Sequence, residues 1–434
     1  MSSPVPEPVT APAEPVAVDA HEPAEIPDMP RGRVLRYAGG FLAFGLLWAI
    51  ANSMVASVLL PQRLTDLGVD SPAAVLGTIY AVTAIVSLVS NLVAGNLSDR
   101  TRSRFGRRTP WIVAGGLLAG VTIALVGFIP DPTLLTVDYC LTMVGLNMML
   151  APAVAVIFDR VPFKARGTMS AGFGGGATGG YALGAIVGAA FISTPMVGYV
   201  LAGVAMALAG VVAVALWPKE GSAKAIPADD GGSLLDVVKS FSPPRHAPDF
   251  YKAFVGRLFM LLSYQMISAY QLYILQNYMG QSVAESAGTI AIASTITLVV
   301  GLTASLVGGP ISDRLNRRKA PVIIASLLFA VGIAMPWILP STTGFLLYAL
   351  IAGFGYGVYG SVDQALNVDV LPRPKKAGED LGILNLATTA GQTVGPMITS
   401  GIVVATGGYT AIFPVAIVAA VIGAAVIVWI RGVR

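Results

Sequence analysis

The sequence predicts an all-α membrane protein with twelve transmembrane helices in two pseudo-symmetric six-helix bundles. Of its 434 residues, 55% are hydrophobic and only 12% are charged, whereas soluble domains carry about 25% charged residues. The single core of a water-soluble chain this long cannot bury so much apolar surface. We therefore expect the apolar segments to lie in lipid, and the 49 glycines are typical of closely packed membrane helices.

Twelve apolar segments have roughly the 20 residues that a helix needs to cross the hydrocarbon of a bilayer. In chain order they are residues 37–60, 73–97, 110–130, 133–157, 168–192, 196–217, 254–278, 287–311, 320–340, 343–368, 381–406 and 410–430.

The basic residues predict the orientation of these spans. If both termini are cytoplasmic, 26 of the 27 Lys and Arg residues lie on the cytoplasmic side and only Arg63 lies outside. Cytoplasmic loops carry such an excess, and losing one span would invert every later loop. The sequence thus predicts a multi-pass protein of the cytoplasmic membrane.

The chain divides into four parts. Residues 1–33 are read as a disordered cytoplasmic tail, because they are rich in Pro, Ala and acids and have no basic residue before Arg31, unlike a signal peptide. Residues 34–217 form the first six-helix bundle and residues 250–434 the second. Between them, 218–249 is a polar cytoplasmic linker. Its apolar residues are spaced for a short amphipathic helix on the membrane surface: Leu234, Leu235, Val237, Val238 and Phe241.

The two halves repeat each other. The tetrapeptide at 97–100 (LSDR) matches that at 311–314 (ISDR), and each follows the second span of its half. After the fourth span of each half, 159–162 (DRVP) aligns with 369–372 (DVLP). Parallel six-helix repeats of this kind are the architecture of two-bundle transporters.

A loop motif carries a resemblance to a known family. Residues 95–100, followed by a Gly-Arg-Arg at 106–108, resemble the signature loop of the major facilitator superfamily, and the likeness covers the chain from residue 34. It implies the major facilitator fold and secondary transport by alternating access. Its signature residues here are Gly95, Asp99, Arg100, Arg107 and Arg108, with Asp313 and Arg314 as the second copy. Asp99 ends a helix and can accept hydrogen bonds from arginines or from a neighbouring helix N-terminus, which suggests a gate. The alternative is that the arginines only set the topology.

A narrower resemblance rests mainly on residues 98–111 (SDRTRSRFGRRTPW), which are similar to the glycoside–pentoside–hexuronide cation symporters and the sucrose/proton symporters. The glycoside-type symporters place carboxylates for cation and sugar binding in their first and fourth helices. This chain instead has Asn52 and Asn147 there, with Asp138 near the outer end of span four. The departure argues against sodium coupling and weakens the case for a sugar.

Small residues recur every fourth position in two spans, a spacing that lets helix backbones approach closely. Two interpretations are open: ordinary tight packing, or a sliding contact between spans five and eight at the interface of the halves. The positions are Gly172, Gly176, Gly180, Gly184 and Gly188 in span five, and Ala293, Thr297, Gly301, Ser305 and Gly309 in span eight.

An ionisable residue inside the hydrocarbon is a functional hypothesis by default. Asp363 lies in span ten, about two turns before Asp369, and is the candidate for carrying a coupling proton. It could instead be a structural acid. Arg257, near the inner end of span seven, could pair with Asp363, bind an anionic group, or extend to the membrane surface.

Span seven is rich in polar and aromatic side chains, which suit a neutral polyhydroxy ligand, although Tyr273 and Tyr278 near its outer end also fit an aromatic belt. The candidates for the substrate cavity are Asn52, Tyr80, Asn147, Tyr264, Gln265, Gln271, Asn385 and Gln392.

These features favour a proton-coupled secondary transporter of a small polar organic solute, for which a sugar is one candidate. The alternative is an efflux transporter for amphiphilic or drug-like compounds. An enzyme is not expected, because the spans lack a nucleophile–base set, and an ATP-driven pump would need a phosphate-binding loop. The two-half repeat disfavours an ion channel. The expected partners are the solute, protons and the lipid bilayer, with a monomeric chain and without nucleic acid, cofactor or metal.

Overall fold

The computed structural model describes residues 29–223, 243–315, 317–373 and 377–432, apart from the side chains of residues 313, 315 and 377–379. The predicted amphipathic segment, nearly all of the predicted tail and the Asp313 side chain lie outside this part.

The described part of the chain folds into twelve successive helical segments, and each predicted span matches one of them. The first six are α1 (Arg31–Asp66), α2 (Pro72–Arg100), α3 (Thr109–Phe128), α4 (Pro132–Arg160), α5 (Phe163–Ala190) and α6 (Pro195–Leu216). The second six are α7 (Pro248–Ser268 continued by Gln271–Tyr278), α8 (Val283–Leu315), α9 (Lys319–Ile338), α10 (Thr342–Asp369), α11 (Ala377–Thr406) and α12 (Ile412–Val428).

Length and hydropathy alone qualify eight of these described helices as membrane spans, and α7 is a ninth if its two bent pieces count as one. The three others have simple reasons for falling below that test. Helices α5 and α11 are long enough, but α5 is rich in Gly and α11 in Gly and Thr, which lowers their hydropathy, and α12 has only 17 residues.

Local sequence explains where several helices begin. Proline occupies the first turn of α2, α4, α6 and α7, where its missing N–H costs nothing. Asp131 caps α4 by accepting from the Leu134 N–H at 2.8 Å. Helices α1 and α7 each contain a π-helical stretch toward the same end, at Val55–Leu59 and Ile274–Tyr278, and α7 also bends by 49° after Ser268.

The two stripes of small residues pack within the halves, not across them. A side chain on Gly176 of α5 would collide with the Leu42 carbonyl oxygen of α1. On α8, the Ser305 hydroxyl donates to the Gly357 carbonyl of α10 at 2.8 Å. Helices α5 and α8 do contact each other, but tight packing within each half is the interpretation that the stripes themselves support.

The two halves meet along two helix pairs, α5 with α8 and α2 with α11. We call the end of the bundle that carries the loops after α2, α4, α8 and α10 the basic end, and the other end the opposite end. The halves are closed together at the opposite end. Gly77, in the second turn of α2, lies so near α11 that an added Cβ would collide with the Ser400 side chain.

Candidate functional site

The bent end of α7 closes the opposite end. Its tyrosines and a glutamine reach the first half in a set that we call the latch. The Tyr273 hydroxyl, fully buried, donates to the Pro61 carbonyl at 2.8 Å, and Gln276 Nε2 donates to Gln62 Oε1 at 2.9 Å. Tyr270 adds a bond to the Ala73 carbonyl at 3.1 Å. The aromatic-belt interpretation of Tyr273 was therefore wrong, because its ring lies between the halves.

Toward the basic end the space between the halves is open. Gly174 lies seven residues, about two turns, before Tyr181, so both residues share one face of α5. Side chains added at Gly174 or Gly175 would meet nothing within 4 Å. The Tyr181 face of α5 thus borders open space between the halves, which the latch closes at the opposite end and which we call the cleft.

Tyrosines from both halves line the middle of this cleft. Tyr181 of α5 is 44% exposed although it packs at right angles on Trp48 of α1, with 5.6 Å between the ring centroids. Its hydroxyl lies near the Asn52 side chain and, across the interface, near the Tyr264 hydroxyl. Tyr264 stacks on Tyr356 of α10, at 4.2 Å and 14° between the rings. These rings and the Asn52 amide offer stacking faces beside hydrogen-bonding groups.

A buried ion pair lies beside the tyrosines in the second half. Arg257 Nη1 of α7 and Asp363 Oδ2 of α10 are 2.5 Å apart, and both side chains are more than 90% buried. Asn367 donates to the same oxygen at 3.0 Å, while Arg257 Nε donates to the Thr388 hydroxyl of α11 at 2.9 Å. Of the alternatives for Arg257, pairing with Asp363 is the one found. Tyr356 lies close enough to both charges to interact with them electrostatically, which connects the pair to the cleft.

The signature loop builds a charge cluster at the basic end of the first half. Arg108, itself buried, forms an ion pair with Asp99 and a second, 3.0 Å long, with Asp159 at the end of α4. It also donates to the Ser98 hydroxyl at 2.8 Å. Asp99 is left about half exposed, so one face of its carboxylate remains accessible at the basic end.

Glu220, just after α6, completes this cluster. Its carboxylate accepts from the backbone N–H groups of Arg107, Arg108 and Thr109 at the start of α3, and it pairs with Arg160 at 2.6 Å. Gly106 has a φ of +95°, and an added Cβ there would collide with the carboxyl group of Glu220. The glycine of the motif is therefore required both by backbone geometry and by the space that the carboxylate occupies.

We expect Glu220 to make the basic-end loop sensitive to acid. Partial burial acts to raise the pKa of Glu220, but Arg160 and the three N–H donors outweigh it and hold the pKa below its ordinary 4.5. Because the pKa of Glu220 is lower in the folded state, its carboxylate stabilises the loop fully at pH values above the pKa of the unfolded state. This stabilisation is lost as the pH falls through the pKa of the folded state. Glu220→Gln should mimic that loss at neutral pH, with about tenfold faster amide exchange in residues 101–109. Unchanged exchange in the variant would contradict this role.

The remaining predicted residues are scattered. Tyr80 donates to the Ala56 carbonyl at 2.7 Å, and Asn147 bonds to Asn91 at 3.1 Å on α2. Gln265 accepts from Ser268. Asn385 and Gln392 are exposed and lie seven residues apart on one face of α11. Gln271 is partly buried near the bend of α7. Gly95 borders open space, and the side chains of Arg100 and Arg314 are exposed.

The sequence analysis missed several residues of the site, among them Trp48, Tyr181, Glu220 and Tyr356. Tyr181 lies in the same segment as the glycine stripe, whose pattern indicates packing, and Trp48 and Tyr356 lie in ordinary apolar segments. Glu220 was counted as part of the linker, and no sequence signal distinguishes it from the other acidic residues there. Within the described residues, no group of three or more His, Cys, Asp or Glu side chains could hold a metal ion.

Comparison with known proteins settles the family. The model of the Major Facilitator Superfamily matches residues 41–273 and 253–434. The chain belongs to the major facilitator superfamily. It is accordingly a membrane transporter and not an enzyme.

The solved structures most useful for comparison share its fold. The chain superimposes on a point mutant of the nucleoside transporter NupG with a TM-score of 0.69 and 13% identity, over 91% of this chain and 98% of that one. A bacterial homologue of the human lysosomal transporter Spinster, in an inward-facing and occupied conformation, gives 0.62 and 16% over 93% and 95%. At these identities the likeness concerns the fold alone.

Two curated relatives match short stretches. The inner membrane symporter YicJ of Escherichia coli (strain K12) is 38% identical over 60 residues, and the uncharacterized symporter sll1374 of Synechocystis sp. is 44% identical over 52. These stretches cover 14% and 12% of this chain, and 13% and 9% of the relatives. They support a transporter with symporter relatives.

Proposed function

We propose that this superfamily member carries a small, uncharged, polar organic solute, for which a sugar is one candidate, across the cytoplasmic membrane in symport with protons. The basic end faces the cytoplasm in this proposal, as the distribution of Lys and Arg indicates. The observation that carries it is the buried Arg257–Asp363 pair, set beside the tyrosine-lined cleft between the halves.

The charges around the cleft support an uncharged solute. Arg257 and Asp363 neutralise each other, so neither presents a net charge to a ligand. Asp138, another acid within a span, is buried at the opposite end of α4. It lies one turn before Thr142, which bonds to Thr122 of α3, and thus on the α3 side of α4. The cationic compounds of the alternative efflux function would need an unpaired carboxylate in the cleft.

Proton coupling follows from the cost of a buried charge. Asp363 can be discharged only by taking a proton, and Arg257 then loses its charged partner in a low-dielectric site. Protonation therefore changes what holds α7 to α10, and α7 is also the helix that forms the latch. A proton bound in the second half can in this way influence whether the opposite end is open or closed.

Asp99 is the proposed gate at the cytoplasmic side. In the state described, Arg108 keeps Asp159 and Ser98 as partners even without Asp99. Losing the Asp99 charge should therefore cost little stability in the state described. It should cost more in the state in which the basic end is closed, because the exposed face of Asp99 would then contact the other half. The proposal predicts that Asp99→Asn shifts the population toward the cytoplasm-open state.

Proteoliposomes with an imposed pH gradient test the function. We expect at least one neutral sugar of a radiolabelled panel to accumulate against its gradient, and a protonophore to abolish the accumulation. Tyr181→Phe, which keeps the ring but removes the hydroxyl beside Asn52, should raise the KM for that sugar about tenfold. Flux of an amphiphilic cation without flux of any sugar would favour the efflux alternative instead.

A further inference from the structure

The turn between α4 and α5 at the basic end exposes two phenylalanines beneath one arginine. Phe158 is 58% exposed and Phe163 is 84% exposed. The guanidinium carbon of Arg166 lies 5.6 Å from the first ring centroid and 6.0 Å from the second. We call these three residues the rim cluster. Its rings face outward and contribute little to the core.

Hydrogen bonds fix the arginine of the rim cluster in place. Arg166 Nη2 donates to the Phe158 carbonyl at 2.9 Å, and Nε donates to the Val161 carbonyl at 3.1 Å. Both acceptors are neutral, so these bonds orient the guanidinium without cancelling its charge.

Helix length places the rim cluster at the depth of the lipid headgroups. Helix α4 has 29 residues, and at 1.5 Å per residue it is about 43 Å long. That length matches the roughly 40–45 Å of a bilayer with its headgroup regions. The end of α4 therefore lies among phosphates, where an exposed phenylalanine can contact acyl chains and an oriented arginine can contact the phosphate.

We propose that the rim cluster is a binding site for an anionic phospholipid. The headgroup phosphate lies against Arg166, and the upper part of an acyl chain covers Phe158 and Phe163. A free phosphate would make only the first of these contacts, so the site is specific for a lipid. Since α5 also contacts α8 of the other half, the bound lipid lies on a helix of the interface between the halves.

Native mass spectrometry of the purified full chain with mixed lipids tests the proposal. We expect the wild type to retain phosphatidylglycerol over phosphatidylcholine about fivefold, since one basic side chain near an anionic surface contributes about that much. Arg166→Gln should abolish the preference and Arg166→Lys should keep most of it. Phe163→Ala should weaken retention of both lipids, whereas Phe128→Ala, which removes a 60% exposed ring at the opposite end, should leave retention unchanged.

Two controls keep the test decisive. Inorganic phosphate should not compete with the lipid, and melting temperatures identify any variant that is simply misfolded. Phe163→Ala removes only an outward-facing ring, so it remains informative if Arg166→Gln proves unstable. Equal retention of the two lipids by the wild type, or a preference that survives Arg166→Gln in a folded protein, would overturn the site.

Discussion

Replacing Asp363 by Asn should abolish proton-driven accumulation of the solute and destabilise the protein. Breaking a buried ion pair leaves the partner charge uncompensated, which costs about 3–5 kcal/mol, and Arg257 is more than 90% buried. Arg257→Gln should cost a similar amount for the same reason. Uptake in proteoliposomes and thermal unfolding in detergent measure the two effects.

The double variant Arg257→Gln/Asp363→Asn separates coupling from stability. With both charges removed, most of the lost stability should return, because replacing a buried pair by neutral groups is often close to neutral. Exchange of labelled solute at equal concentrations on both sides should survive, while accumulation driven by a pH gradient should not. Asp369→Asn, at the half-exposed end of the same helix, serves as the matched control. Proton-driven accumulation by the double variant would exclude Asp363 as the proton site.

Cross-linking the latch should stop transport completely and reversibly. Gln62 and Gln276 bond to each other across the halves at 2.9 Å, and alternating access requires them to separate. The chain has one cysteine, Cys140, so Cys140→Ser provides a clean background for the pair Gln62→Cys/Gln276→Cys. A short bis-methanethiosulfonate reagent should block solute uptake by more than about 90%, because a protein whose halves are cross-linked cannot change between its two conformations. A reductant should restore uptake.

A second pair controls for the reagent and the position. Gln281 donates to the Thr342 hydroxyl at 2.8 Å, at the same end of the bundle but within one half. Cross-linking Gln281→Cys/Thr342→Cys should leave uptake close to normal. Normal uptake with the Gln62–Gln276 link in place would show that the halves do not separate at the latch.

The sequence predicts the helices much better than it predicts their faces. Hydropathy and the count of basic residues locate each span, because the bilayer requires long apolar segments and penalises charges. Neither property reveals which side of a helix meets the cleft. The glycine stripe of α5 indicated a close contact correctly but not its partner, and Tyr181, within the same segment, faces the cleft from another side of the helix.

The sequence could predict a pairing of opposite charges where two residues that are rare in membrane spans had few other possible partners. Arg257 and Asp363 are unusual in apolar segments, so pairing was one of the few arrangements open to them, and it is the one found. Glu220 was missed for the converse reason. An acidic residue in a polar linker needs no particular structural role to explain its presence, and only the folded loop shows that three backbone N–H groups donate to Glu220. The latch likewise depends on the bend in α7, which no residue type at Ala269 or Tyr270 requires.

Alternating access is tested most directly with a single cysteine in the cleft. The variant is Gly174→Cys in the Cys140→Ser background, and a membrane-impermeant maleimide is added to each face of the membrane in turn. At rest we expect labelling from the cytoplasmic face only, because an added side chain at Gly174 borders open space toward the basic end while the latch closes the other. During turnover with solute and a proton gradient, labelling from the outer face should appear, and Asp99→Asn should increase the cytoplasmic labelling. Labelling from one face alone under every condition, unaffected by solute, would contradict the account.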